Sequence, residues 1–113
     1  MLKFLLVFLI SFCVQADTDW ARVAMNTATV LDWAQTRYIA AHPEYYENNK
    51  ILGPYPSDAA VNRYFVLALL SYNVAGEYLI SEKYRAYFYS GVALVHGEAV
   101  LQNYNIGLRF RFD

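Results

Sequence analysis

All three prolines of this chain fall between residues 43 and 56, and this clustering constrains the fold more than any other feature. Proline removes a backbone donor and clashes with the preceding helical turn, so the proline-free stretches on either side are the only places where long helices can form. Residues 42–57, HPEYYENNKILGPYPS, also hold Gly53 and the polar Glu47-Asn48-Asn49-Lys50 run. They read as a long loop, and long loops in small domains often carry function.

Before the loop, a helix is predicted from about Asp19 to Ala41, opened by Thr18 or Asp19 and stopped by His42-Pro43. Trp20, Val23, Ala24, Val30, Leu31, Ala34, Tyr38 and Ala41 recur on one side of it, and Arg22, Asn26, Thr29, Asp32, Thr36 and Arg37 fall on the other. The expected packing is therefore apolar side inward and polar side outward. After the loop, a second helix should run from Ser57 or Asp58 to about Ile80. Its segment YFVLALLSYNVAGEYLI is apolar nearly all round, interrupted only by Ser71, Asn73 and Glu77, so it must be buried in protein or lipid. Asn62, Val66, Asn73 and Glu77 form one strip and predict a polar inward seam. A third helix, capped by Ser81, should reach about Gln102, with Ala86, Ser90, Ala93 and Gly97 as a small-residue stripe that admits close helix approach. The closing NIGLRFRFD alternates apolar and polar residues and reads as a short strand or an interfacial tail. The fold class expected is all-α: a three-helix bundle with a short extended C-terminal tail.

The chain opens MLKFLLVFLISFCVQA, with Lys3 ahead of the apolar Phe4–Val14 and small Ala16 before Asp17. This is the order of an export signal over residues 1–16, with an uncleaved anchor helix as the alternative. Residues 17–113 then form a single helical, membrane-associated domain. Phe12 stands where lipoprotein signals want a small residue, so lipidation of Cys13 is not expected. Cys13 is the only cysteine; cleavage after Ala16 would leave no thiol for disulfides, nucleophilic catalysis or metal binding.

Loss of Lys3 takes the net charge from -1 to -2, which leaves no basic footprint for nucleic acid. Charged residues make up 17% of the chain and aromatic residues 18%, with eleven tyrosines, a balance suited to membrane interfaces. If all three helices cross a bilayer, Arg37, Lys50, Arg63, Arg109 and Arg111 lie on one side against Arg22, Lys83 and Arg85 on the other, a weak positive-inside bias. A surface-lying first helix with a hairpin of the other two is the alternative.

The candidate polar-seam or interaction residues are Asp32, Gln35, Thr36, Glu47, Asn48, Asn73, Glu77 and His96, with Asp32, Gln35, Asn73 and Glu77 expected as a polar seam that, with the loop at 42–57, organises the bundle or meets a partner. Asp32 in an embedded helix needs a partner such as Arg63, His96 or a backbone donor, whereas on a solvated face it would bond Thr36. Glu77 is expected to pair with Lys83 or Arg85, His96 to be a polar core or interface histidine, and Glu98 to meet Asn73 or Tyr72. His42, Glu44, Glu47, His96 and Glu98 lack the spacing of a metal motif. The serines lack the setting of a catalytic triad, and neither cofactor nor enzymatic activity is expected.

The runs DWAQTRYIA, ENNKILGPYPS, VNRYF and NYNIGLRFRF together resemble a group of uncharacterised small helical, membrane-linked proteins of proteobacteria and their phages. That group shares an Asp-Trp-x-Gln-Thr run, a Glu-x-Asn-x-Ile-Leu-Gly-x-x-Pro-Ser loop and an Ile-Gly ending. The resemblance implies a phage or prophage origin. The expected function is that of an exported, non-enzymatic membrane protein of the envelope, in the inner membrane or attached to it from the periplasm. Its roles would be superinfection exclusion or lysis control, and its partners membrane lipid, an envelope protein or copies of itself. The alternative is a soluble periplasmic bundle that binds a protein or a small ligand.

Overall fold

The computed structural model describes residues 18–47 and 49–113; residues 1–17, where the export signal was expected, and Asn48 lie outside them. Three helices account for most of the described chain: α1 (Thr18–Ala41), α2 (Asp58–Val74) and α3 (Glu82–Asn105). No strand occurs among the described residues, in keeping with the three-helix bundle expected.

The helix ends follow local chemistry. At the end of α1, His42 donates through Nδ1 to the Tyr38 carbonyl at 2.8 Å while its ring stacks on Tyr38, which satisfies a carbonyl that has no intrahelical partner. Ser57 caps α2, its hydroxyl accepting from the Ala60 amide. Ser81 holds the capping position of α3 but makes no side-chain capping bond. The closing tail is extended rather than a paired strand: the Arg111 amide donates to the Ala34 carbonyl at 3.0 Å and Leu108 is buried. Arg111 also reaches Asp58 at 3.1 Å, tying the tail to the start of α2.

Between α2 and α3 the chain winds into one π-helical turn, Ala75–Leu79, where the Ile80 amide reaches back to Ala75 at 2.8 Å. Two side chains from α3 hold this corner. The Arg85 guanidinium donates to the carbonyls of Gly76 (2.7 Å), Glu77 (2.8 Å) and Ile80 (3.2 Å), groups that the ending helix leaves without partners. The Tyr89 ring lies directly over Gly76, where a Cβ would collide with it.

The core joins Ala21 and Met25 of α1 to Tyr89 and Ala93 of α3, with Ala24, Ala86 and Val92 packed around them. Burying a side chain as large as Met25 stabilises by about 1.5–3 kcal/mol. The small-residue stripe of α3 serves this contact through Ala86, Ser90 and Ala93, but not at Gly97, where an added Cβ would meet nothing within 4 Å. α1 packs against both other helices, whereas α2 and α3 meet closely only around the π turn.

The orientation of α1 differs from the sequence expectation. Thr29 and Thr36 are buried at 0% and 2% exposure, while Trp20 and Val23 are 64% and 53% exposed. The polar side faces the bundle because its groups find partners there: Arg22 and Asn26 bond Asn73, and Asp32 bonds His96. Thr29 and Thr36 bond carbonyls of their own helix. On α2 the predicted seam is present at Asn62, which accepts from Trp33 Nε1, and at Asn73 and Glu77, but Val66 is exposed.

Among the described residues no helix is long and apolar enough to cross a membrane, which overturns both the three-crossing topology and the two-helix hairpin. The apolar stretch of α2 is interrupted by the π turn, and α3 carries Glu82, Lys83, Arg85, His96 and Glu98. Asn73, Glu77 and His96 are spent on bonds within the bundle.

The corner gives a paired prediction. Gly76→Ala is expected to destabilise by about 1–3 kcal/mol through overpacking against Tyr89. Gly91→Ala, in open space on the same bundle, should stabilise by about 0.5–1 kcal/mol through helix propensity. Thermal denaturation of the two variants checks the opposite signs.

Candidate functional site

α1, α2 and α3 each contribute one residue to a chain of hydrogen bonds at the centre of the molecule. His96 Nδ1 lies 2.6 Å from Asp32 Oδ2 and His96 Nε2 lies 3.0 Å from the Tyr72 hydroxyl. The side chains of His96 and Asp32 are 8% and 15% exposed. A carboxylate only accepts, so Nδ1 is the nitrogen that donates to Asp32, and Nε2 is left to meet the Tyr72 hydroxyl. Burial raises the Tyr72 phenol above its ordinary value, and the nearby Tyr64 and Asp32 add to the effect, so the hydroxyl is held as a donor. Phe65 and the edge of Tyr72 flank the imidazole, and Trp33 stacks on Phe65 behind it.

This chain of bonds lines a cavity of about 510 Å³. The cavity follows from the packing: α2 and α3 diverge away from the π turn, and the loop after α1 lies over the gap. The loop is built to close. The Glu47 amide donates to the Pro54 carbonyl at 2.9 Å, and the Gly53 amide returns to Asn49 at 3.0 Å with Gly53 at φ +81°, a conformation open to glycine. Glu47 Oε1 accepts from the Asn49 amide and Asn49 Oδ1 from the Ile51 amide, a pair of local side-chain turns. Glu44, Tyr45, Tyr46 and Glu47 from the loop, Asp32 and Thr36 from α1, Tyr64 and Tyr72 from α2, and His96, Gln102 and Asn103 from α3 all face the space.

The structure divides the candidate residues between this cavity and a second cluster. Asp32, Thr36, Glu47 and His96 line the cavity. Gln35 sits behind it, fully buried, donating to the Val100 carbonyl at 3.0 Å and accepting from Asn103 at 3.4 Å. Asn48 lies outside the described residues. Asn73 and Glu77 belong to the π-turn end, where Arg22 Nε donates to Asn73 Oδ1 at 2.8 Å and pairs with Glu77 at 3.3 Å.

Two expected partnerships are corrected. Glu77 is bonded by the Tyr89 hydroxyl at 2.7 Å and paired with Arg22, not with Lys83 or Arg85, because Arg85 is committed to backbone carbonyls. Glu98 bonds Gln102 one turn along, not Asn73 or Tyr72. Tyr72 as the partner of His96, and Tyr45, Tyr64, Gln102 and Asn103 as cavity residues, were not singled out from the sequence. The signal available was spacing: His96, Ala99 and Asn103 share one face of α3, as Asp32, Thr36 and Ile39 share one of α1.

Among the described residues no group of three histidine, cysteine or carboxylate side chains is placed to hold a metal ion. No known protein family, curated protein or solved structure matches the chain.

The π-turn cluster predicts a pH dependence of stability. The Tyr89 hydrogen bond, with the charges of Arg22 and Arg85, holds the Glu77 carboxyl below its ordinary value of 4.5 against the opposing effect of desolvation. Burial, and then the bond to Glu77, push the Tyr89 phenol from 10.0 up to about 12. Glu77 therefore contributes stability above pH 4.5 that is lost on acidification through its lowered value. Tyr89 contributes below pH 10 and loses its contribution as the pH rises towards about 12. Denaturant midpoints across pH should show a flatter acid limb in Glu77→Gln and a flatter alkaline limb in Tyr89→Phe; slopes equal to the unsubstituted chain's in both variants would contradict the assignment.

Proposed function

We propose that this chain is an exported, non-enzymatic helical binding module that takes a small organic ligand into the cavity between α2, α3 and the loop. The observation carrying this reading is the Asp32–His96–Tyr72 chain of bonds exposed to a 510 Å³ space. Ligand cavities commonly combine that scale, mostly apolar and aromatic walls, and a few fixed polar groups. The order carboxylate, imidazole, hydroxyl is that of a hydrolytic triad, but a nucleophile needs an activated, lowered hydroxyl and the Tyr72 phenol is shifted the opposite way. Its chemistry suits orienting a bound group rather than attacking one.

Ligand-observed NMR with a library of small fragments is expected to give hits that the loop and α3 resonances also report. Ala99→Trp, which fills the cavity wall, should abolish those hits while leaving the helical circular dichroism unchanged. Hits indifferent to this substitution would remove the cavity from the proposal.

A second reading, membrane association without crossing, is favoured by one observation. Val66, Leu67, Leu70 and Val74 are all exposed along the outer side of α2, a larger apolar strip than scattered surface residues produce. The envelope roles implied by the resemblance, superinfection exclusion and lysis control, attach to this reading. Carbonate extraction of cells expressing the chain should leave it in the membrane pellet, and the Leu67→Asp/Leu70→Asp double variant should shift it to the supernatant. An unsubstituted chain found wholly in the supernatant overturns the second reading.

A further inference from the structure

We infer that the molecule carries a second ligand site, separate from the central cavity: the cleft where the C-terminal tail crosses α1 takes a small organic carboxylate that bears an aromatic ring. The tail builds this cleft. Its Arg111 amide donates to the Ala34 carbonyl at 3.0 Å, which lays the tail along the side of α1 that Val30, Trp33 and Arg37 share at helical spacing. A space of about 270 Å³ remains between them, and none of the residues around it belongs to the 510 Å³ cavity.

The side-chain groups left unused around the cleft are all donors. Among the described residues Arg37 makes no hydrogen bond: its Nε is buried without a partner, and its ion pair to Asp58 spans 3.8 Å. Its side chain is only 16% exposed, so most of a guanidinium has left water with no acceptor in bonding distance, a costly arrangement. Arg111 spends Nε on Asp113 and Nη1 on Asp58, which leaves Nη2. Asn62 spends its oxygen on Trp33 Nε1 at 2.9 Å, which leaves its amide N–H groups. Both arginines pair with Asp58, yet no acidic side chain forms part of the cleft wall. A ligand that accepts several fixed N–H bonds and brings none of its own is an oxyanion, and a planar carboxylate matches the planar guanidinium fork. A cation would meet two guanidiniums, and the donors of an amide would meet other donors.

The remaining walls set the body of the ligand. Trp33 is held in place by its bond to Asn62 and by stacking on Phe65, with ring centroids 6.1 Å apart. Phe112 faces the cleft from the tail and is itself stacked on Phe110. Val30 and Ala34 complete an apolar lining, so an aromatic ring is the group that such walls desolvate best. The volume is below the usual range of sites for drug-sized ligands and admits one ring with its acid group. Because the rings and Asn62 are fixed by bonds and stacking within the bundle, little ordering is left for a ligand to impose.

The test titrates phenylacetate, the neutral 2-phenylethanol, the cationic 2-phenylethylammonium and inorganic phosphate into the full chain at pH 7.5, following the Trp33 indole N–H and the Phe112 amide by NMR. Phenylacetate is expected to bind saturably and at least tenfold more tightly than the alcohol or phosphate, with the ammonium causing no shifts at either position. Arg37→Gln should weaken phenylacetate at least tenfold and leave the alcohol unchanged, and Arg37→Lys, which keeps the charge and loses the fork, should recover part of the loss. Ala99→Trp, which fills the central cavity, should leave phenylacetate binding unchanged. Equal or tighter binding of the alcohol, the ammonium or phosphate overturns the inference, as does an unchanged phenylacetate affinity in Arg37→Gln. Absence of saturable shifts at Trp33 and Phe112 also overturns it, and so does a loss of phenylacetate binding in Ala99→Trp, which would place the ligand in the central cavity.

Discussion

The bond between Asp32 and His96, at 2.6 Å, is the contact on which the arrangement of the three helices depends. A carboxylate and an imidazole buried together would be costly if either lost its partner, since an unpaired buried charge carries most of its desolvation penalty. The bond therefore fixes how α1 is rotated against α3. With Asp32 turned inward, the residues one to three turns away towards the same side turn inward too, and these are Thr29, Thr36, Asn26 and Arg22. Each then needs a partner of its own. Two threonines take carbonyls of α1, and Arg22 and Asn26 converge on Asn73 of α2. One rotation setting thus determines both the position of α2 and the polar character of the interior.

An interior of that kind also explains why α2 and α3 do not close on each other. Apolar helices approach until their side chains interdigitate, but here the contact between α2 and α3 beyond the π turn centres on His96, which the Tyr72 hydroxyl reaches and Phe65 flanks. Bond geometry sets that spacing, not packing. The gap it leaves is covered by the loop, which is stiffened by Gly53 and by the turns at Glu47 and Asn49. The cavity is in this sense a product of the polar interior: Asp32, His96 and Tyr72 both hold the helices apart and supply the fixed groups that face the space.

Much of this was legible in the sequence at the level of elements and little at the level of partners. The proline cluster and the capping residues Ser57 and His42 located both ends of α1 and the start of α2 to within a residue, because those signals are local, whereas α2 was expected to reach about Ile80 and gives way to the π turn after Val74. The rotation of α1 was misread because hydrophobic periodicity assigns Trp20, Val23 and Val30 to a core by default. Their outward position follows only from bonds to residues far along the chain, His96 being 64 positions from Asp32. Glu77 was assigned to its near neighbours for a similar reason. Arg85 was already engaged by the carbonyls freed at the π turn, a feature that nothing in the run Ala75–Leu79 announces except the small Gly76 beneath Tyr89. His96 as an interior polar residue was readable, since a lone histidine amid apolar helix residues has few other stable places.

The abundance of tyrosine takes on two meanings once the fold is known. Inside, Tyr72 and Tyr89 act as donors whose protons are held by burial, each bonded to a group on another element, His96 and Glu77. Outside, Tyr78, Tyr84 and Tyr87 cluster around the π-turn end with most of their surface exposed, presenting ring edges and hydroxyls together. A composition count merges these populations, which is why it pointed towards a membrane interface without separating interior from surface. Two carboxylates set the interior positions. Tyr72 is drawn into the bundle by a bond relayed through His96 to Asp32, and Tyr89 by a charge-assisted bond to Glu77, so each of these two acidic residues fixes one interior tyrosine.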